Sequence, residues 1–171
     1  MEKFCSENEK LRKKYNEVRA AYLEDKVKSL FRIAFPMAEI YHGSKWTGKD
    51  GKVYENDLLV IVDNFAFIVE AKSGQVSPSA KRGAPDRLFK TLKELIEEPS
   101  DQALRFIEYL KDHPSELVLP VKKGPSNRFD ASKLKYFIPL GVTLTHLGMT
   151  GCNLKQLIRA CLLYTSPSPR D

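Results

Sequence analysis

Two apolar runs separated by a pair of turn residues constrain this chain most: Asp57-Leu-Leu-Val-Ile-Val62 and Phe65-Ala-Phe-Ile-Val-Glu-Ala71, joined by Asp63-Asn64. Asp and Asn both tolerate positive φ, as a two-residue hairpin turn demands, so the runs predict an antiparallel β-hairpin. Neither run alternates apolar with polar residues. Both strands are therefore expected to be covered on both faces, central in a sheet flanked by helices. With Val62 opposite Phe65, extending the register outward sets Asp57 directly opposite Glu70.

The flanking sequence supplies the covering layers. Ser6 and Glu9 have capping-box spacing, and Leu11, Tyr15, Val18 and Tyr22 recur at helical intervals. Leu23, Val27, Leu30, Phe31 and Ala34 continue the stripe, which predicts one long helix ended by Pro36. Residues 38–46 are expected to form a strand, and Gly48-Lys-Asp-Gly51 a turn. A polar loop after Gly74 leads to a helix over residues 85–98 and a second one to residue 112, with Ser100 as its N-cap. Residues 114–132 are expected to be mainly loop with a short strand at 117–121, followed by a strand at 134–144 and the start of a helix at 154–160. The order predicts an α/β fold, an α-β-β-β-α-(α)-β core with a mixed central sheet flanked by helices.

At 171 residues and 42% apolar content the chain can bury one core, so a single domain over residues 1–160 is expected. No run approaches the roughly 20 apolar residues that cross a bilayer, and a cytoplasmic protein with no membrane partner is expected. Cys5, Cys152 and Cys161, like His42, His113 and His146, lack ligand or disulfide spacing, which argues against a zinc centre or a disulfide framework. The net charge of +6 suits a polyanionic partner. Residues 161–171 resemble the translation of an adaptor used in sequencing libraries. They are expected to be a non-native tail, with the natural protein continuing past residue 160 into a further C-terminal domain.

The hairpin also carries the candidate chemistry. Opposed residues hold their Cβ atoms roughly 4.5–5.5 Å apart, where two carboxylates repel, and a charge in an otherwise apolar strand is costly unless paired or metal-bound. A divalent cation relieves both, and Mg²⁺ characteristically takes one or two carboxylates and keeps waters that a phosphate can displace. Period-two alternation puts Lys72 on the face of Glu70. Two acids, an ammonium and a metal suit phosphodiester hydrolysis. The competing reading is a plain cross-strand ion pair between Glu55 and Lys72.

Asp57, twelve residues, then Glu70-Ala71-Lys72 on a hairpin resembles the D…ExK signature of the PD-(D/E)xK nuclease superfamily. Residues 61–74 are similar in texture to its NERD-type members, although the chain lacks their glycine just before Glu24. The resemblance implies a restriction-endonuclease-like core, dependence on Mg²⁺ or Mn²⁺, and DNA as substrate in repair, restriction or defence. It implies Asp57 and Glu70 as metal ligands, the Ala71 carbonyl as a third, Lys72 as the catalytic lysine, and a further acid from the first helix. Glu24 lies beside the apolar stripe and is the candidate, with Asp25 the competing choice. Gln102-Ala-Leu-Arg-Phe106 resembles the QxxxY of RecB-type nucleases, with Phe in place of Tyr. Lys81, Arg82 and Arg87, with Lys90 and Lys93, form a basic stretch suited to phosphate contacts. Trp46 and Tyr54 are candidates either for core packing or for base stacking. Two other functions compete with a nuclease: a non-catalytic nucleic-acid-binding module of the same fold, and a partner-binding α/β domain.

Overall fold

The structure is a computed structural model that describes residues 9–82, 84–121 and 124–146. The expected helix at 154–160, the tail after it and all three cysteines lie outside the described residues. Helix α1 (Glu9–Ala34) is followed by strands β1 (Glu39–Thr47), β2 (Val53–Val62) and β3 (Phe65–Lys72). Next come α2 (Pro78–Lys81), α3 (Pro85–Leu92), a π turn (Lys93–Glu97) and α4 (Glu98–Asp112). Strands β4 (Glu116–Leu119) and β5 (Asn127–Asp130), a 3₁₀ turn (Ala131–Lys133) and β6 (Tyr136–Thr143) complete the described elements.

The fold is mixed α/β, with one four-stranded mixed sheet in the order β1-β2-β3-β6. The first three strands run antiparallel, and β6 adds parallel to β3, so β2 and β3 are the central pair. Each face of that pair has its own cover. Leu58, Val60 and Val69 pack with Leu23 and Val27 of α1, whereas Leu59, Ile61, Ala66 and Ile68 pack with Ala103, Phe106, Ile107 and Leu110 of α4. This is why neither strand alternates in sequence. Burying each such side chain stabilises the fold by roughly 1.5–3 kcal/mol. Among the described residues no helix is long and apolar enough to cross a membrane.

Several expectations are corrected. Only Asp63 of the hairpin turn takes a positive φ, at 52°, whereas both turn residues were expected to need one. Ser100 does not cap a second helix; its hydroxyl donates to the Ile96 carbonyl at 2.6 Å inside a run that is helical from residue 85 to 112. Pro99 explains this, because it has no N–H to offer four residues back, and the helix widens into a π turn there instead of stopping. Of residues 114–132, expected to be mainly loop with one short strand at 117–121, β4 answers to that strand, and β5 is an unexpected partner that pairs with it as a ribbon. That ribbon leans on β1 through Leu117, Leu119 and Phe129 in the core, and its Asn127 amide donates to the His42 carbonyl and to the Ser44 hydroxyl.

Alternation also fails at one place in the sheet, and that place positions the site. Tyr41 and Trp46 lie on the α4 face, as do Leu59 and Tyr54, although five positions separate each pair. Strict period-two alternation would put the members of each pair on opposite faces. The β1–β2 register pairs His42 with Leu58 and Ser44 with Asn56, leaving Gly43 and Asp57 between them unmatched. Gly43 takes φ +63°, the left-handed region open to glycine, and both strands change faces together there.

Candidate active site

Past this irregularity β2 and β3 separate. Their ladder ends at Leu58 and Val69. Beyond it β2 continues against β1 as far as Val53, and β3 continues against β6, with Glu70 beside Gly141 and Lys72 beside Thr143. Asp57 and Glu70 are therefore not a regular cross-strand pair, as the extended register implied. They converge in a fork between two diverging strands.

Polar groups fill the fork. Asp57 Oδ2 accepts the Ala71 N–H at 2.7 Å, so the carboxylate takes a place that a β2 carbonyl would hold in a continuous ladder. Glu70 is 2% exposed, and its Oε1 accepts from Asn56 Nδ2 at 3.0 Å. The Asn56 amide also donates to the Val69 carbonyl at 3.3 Å, which fixes its orientation and leaves Oδ1 buried with no donor among the described residues. Lys72 Nζ donates to Gln102 Oε1 at 2.7 Å, a bridge from β3 to α4. Its positive charge still lowers the proton affinity of both Asp57 and Glu70, so the three groups share one region.

The electrostatics follow from this crowding. Burial, then the Asp57 charge, pushes the Glu70 carboxyl up to about 8, against the pull of the Asn56 amide and the Lys72 ammonium. Burial raises Asp57 as well, with the Glu24 charge adding to the rise and the Ala71 N–H and Lys72 opposing it. Near neutral pH the two acids thus retain a proton between them, the usual behaviour of carboxylates that share a site.

Glu24 faces this cluster from α1, half-buried, with Oε2 2.8 Å from His42 Nε2; Asp25 points to solvent. Of the two helix acids, Glu24 is thus the one brought to the fork. The β2–β3 ladder ends at Leu58 and Val69, so Glu55 and Lys72 are not cross-strand partners, and Lys72 is held by Gln102 instead. The Phe106 ring is fully buried against Trp46 and is core, so it offers no stacking surface beside Gln102. Gln102 itself is committed to Lys72. Lys81 and Arg87 lie exposed on α2 and α3, and Arg82 is exposed at the C-cap of α2; none of the hydrogen bonds or ion pairs among the described residues joins them to the acids.

Two participants were missed. Asn56 was legible as a polar residue abutting an apolar run that was judged buried on both faces, the place where an amide needs a reason. His42 carries no such signal, because its partner lies eighteen residues earlier on another element.

Among the described residues no three His, Cys, Asp or Glu side chains are grouped to hold a metal ion, so no complete protein cage is formed there. Mg²⁺ is ordinarily held by one or two carboxylates plus waters and a substrate phosphate. The fork fits that smaller requirement. It has two converging acids whose repulsion a cation would relieve, and a buried Asn56 oxygen with no donor. Comparison with models of known families, with curated proteins and with solved structures found no match for the chain.

Proposed function

We propose that this protein is a divalent-metal-dependent nuclease of the restriction-endonuclease-like, PD-(D/E)xK type, hydrolysing phosphodiester bonds of DNA in the cytoplasm. One observation carries the reading: Asp57, Glu70 and Lys72 meet where β2 and β3 fork, and the fork leaves two buried acids without a full complement of positive charge. A central strand rarely retains such a pair unless a cation or a shared proton compensates it.

In this reading Asp57 and Glu70 hold Mg²⁺ or Mn²⁺, with the Ala71 carbonyl as a further ligand and Glu24 as an outer acid. The ion supplies Lewis acidity and lowers the pKa of a bound water. Lys72 stabilises negative charge on the phosphoryl oxygens. Gln102 is a positioning residue that holds the ammonium in the fork. The Ala71 N–H fixes the Asp57 carboxylate, and the Asn56 amide fixes that of Glu70. Lys81, Arg82 and Arg87 provide sequence-independent phosphate contacts.

A second reading has its own support. Lys72 is held by the Gln102 amide rather than left free for a phosphate, which favours a non-catalytic nucleic-acid-binding module of the same fold. Incubating the protein with linear and circular DNA in Mg²⁺ or Mn²⁺ separates the two. The nuclease reading expects strand cleavage that stops with EDTA. Salt-sensitive DNA binding without cleavage in either ion would transfer the conclusion to the binding module.

A further inference from the structure

On the α4 face, between the Gly48 turn and the C-terminal half of α4, lies a cavity of about 480 Å³, within the roughly 300–1,000 Å³ typical of small-molecule sites. Its walls are aromatic. Trp46 stacks on Tyr54 with centroids 5.0 Å apart and lies 5.2 Å from Tyr109, which stacks in turn on His113 at 4.4 Å. The Arg105 guanidinium sits 4.8 Å over the Tyr54 ring and is exposed. The Gly48 turn closes the far side, and a Cβ at Gly48 would stand 2.7 Å from the Tyr54 ring, so only glycine lets the turn lie this close.

The rim sorts ligands by charge. Asp50, Glu108 and Asp112 line it along with Lys49 and Arg105. Asp112 is paired with Lys49 at 2.9 Å, and Asp50 accepts from the Tyr54 hydroxyl at 2.7 Å. Three carboxylates disfavour a phosphate inside. A flat, neutral ring with N–H and carbonyl edges suits both walls and rim, because every nucleobase has a π face to stack and polar edges to pair.

Two of its walls sit on elements that also build the fork, β2 and α4. Tyr54 stands two residues from Asn56 on β2, about 7 Å along a strand, and Arg105 stands one helical turn beyond Gln102, about 5 Å along α4. We propose that this cavity receives an unstacked nucleobase of the strand whose phosphate lies at the fork. The inference rests on the nuclease reading for the identity of that strand, and it deepens that reading by making single-stranded or frayed DNA the preferred substrate.

Trp46 is the chain's single tryptophan, so its fluorescence reports on the cavity alone. The full chain is titrated in EDTA with deoxynucleoside monophosphates, with short single-stranded DNA, with abasic deoxyribose phosphate and with a tyrosine-containing peptide. Saturable quenching by the nucleotides and the single strand, none by the abasic sugar, and about 2- to 30-fold weaker binding in Arg105→Ala are expected, the range of one lost cation–π contact. Arg105 is exposed, so this variant keeps its fold. Equal quenching by the abasic sugar, an unchanged Arg105→Ala, or binding of the peptide alone would overturn the proposal. Quenching by bases from a protein that cuts no DNA would sustain the cavity and remove the nuclease, and cleavage without quenching would do the reverse.

Discussion

The two ends of the β2–β3 hairpin are built from the same strands and do opposite things. At the turn end, Leu58–Val62 and Phe65–Val69 are zipped in regular register, covered by α1 on one face and α4 on the other except near the turn, where Phe65 is exposed. At the far end the ladder stops, and its hydrogen bonds pass to side chains: the Asp57 carboxylate takes the Ala71 N–H, and the Asn56 amide takes the Val69 carbonyl. The difference teaches that the site is made by withholding pairing, and that the tolerance for doing so comes from the zipped end.

Mutations at the two ends should therefore separate stability from chemistry. Ile68→Ala, at a position with no exposure, is expected to cost about 2–5 kcal/mol in urea unfolding. A cost below about 1 kcal/mol would mean that the zipped end is not what holds the fork. Lys72→Ala is the converse. It should reduce Mg²⁺-dependent cleavage by about 10²–10³-fold, the effect of deleting a charge-stabilising donor, while the unfolding midpoint scarcely moves. Joint loss of cleavage and folding would erase the distinction.

The pH dependence of stability sharpens the same contrast. The Glu70 carboxyl is raised from 4.5 to about 8 in the folded chain, so between those values the folded state holds a proton that the unfolded state has lost. Stability must then fall as pH rises through that window, by at most about 1.4 kcal/mol per pH unit for one proton. Glu70→Gln should flatten the decline in metal-free buffer, measured by denaturant unfolding at several pH values. A slope that persists in the variant would locate the titrating group elsewhere. The smallest effect belongs to Gly43→Ala, where an alanine at φ +63° is strained by about 1–2 kcal/mol and its Cβ would meet Glu55 Oε1 at 3.3 Å. A loss of cleavage larger than that stability change explains would tie the change of faces directly to the acid cluster.

Much of this was legible in the sequence, for stated reasons. The hairpin, its central position and α1 follow from apolar runs, turn residues and helical spacing, all local signals that packing then reinforced. The meeting of Asp57, Glu70 and Lys72 was expected, but through regular alternation, whereas a break in alternation at Gly43 and Asp57 produces it. A lone glycine in a predicted strand gives little warning of that. The Lys72–Gln102 bridge spans thirty residues between a strand and a helix, and no spacing rule reaches so far. The β5 strand was hidden because Pro, Lys and Ser around it resemble loop, and the continuous helix because Ser100 has the character of an N-cap.

The late arrival of β6 has a consequence for how the chain is made. Strands β1 to β3 leave the ribosome as a contiguous meander, but the partner of β3 begins at Tyr136, more than sixty residues after β3 does. Until then β3 is a bare edge of apolar residues, the kind that templates pairing with other nascent chains. Glu70 and Lys72 put two charges on that strand, the kind of residue by which natural sheets discourage edge-to-edge pairing.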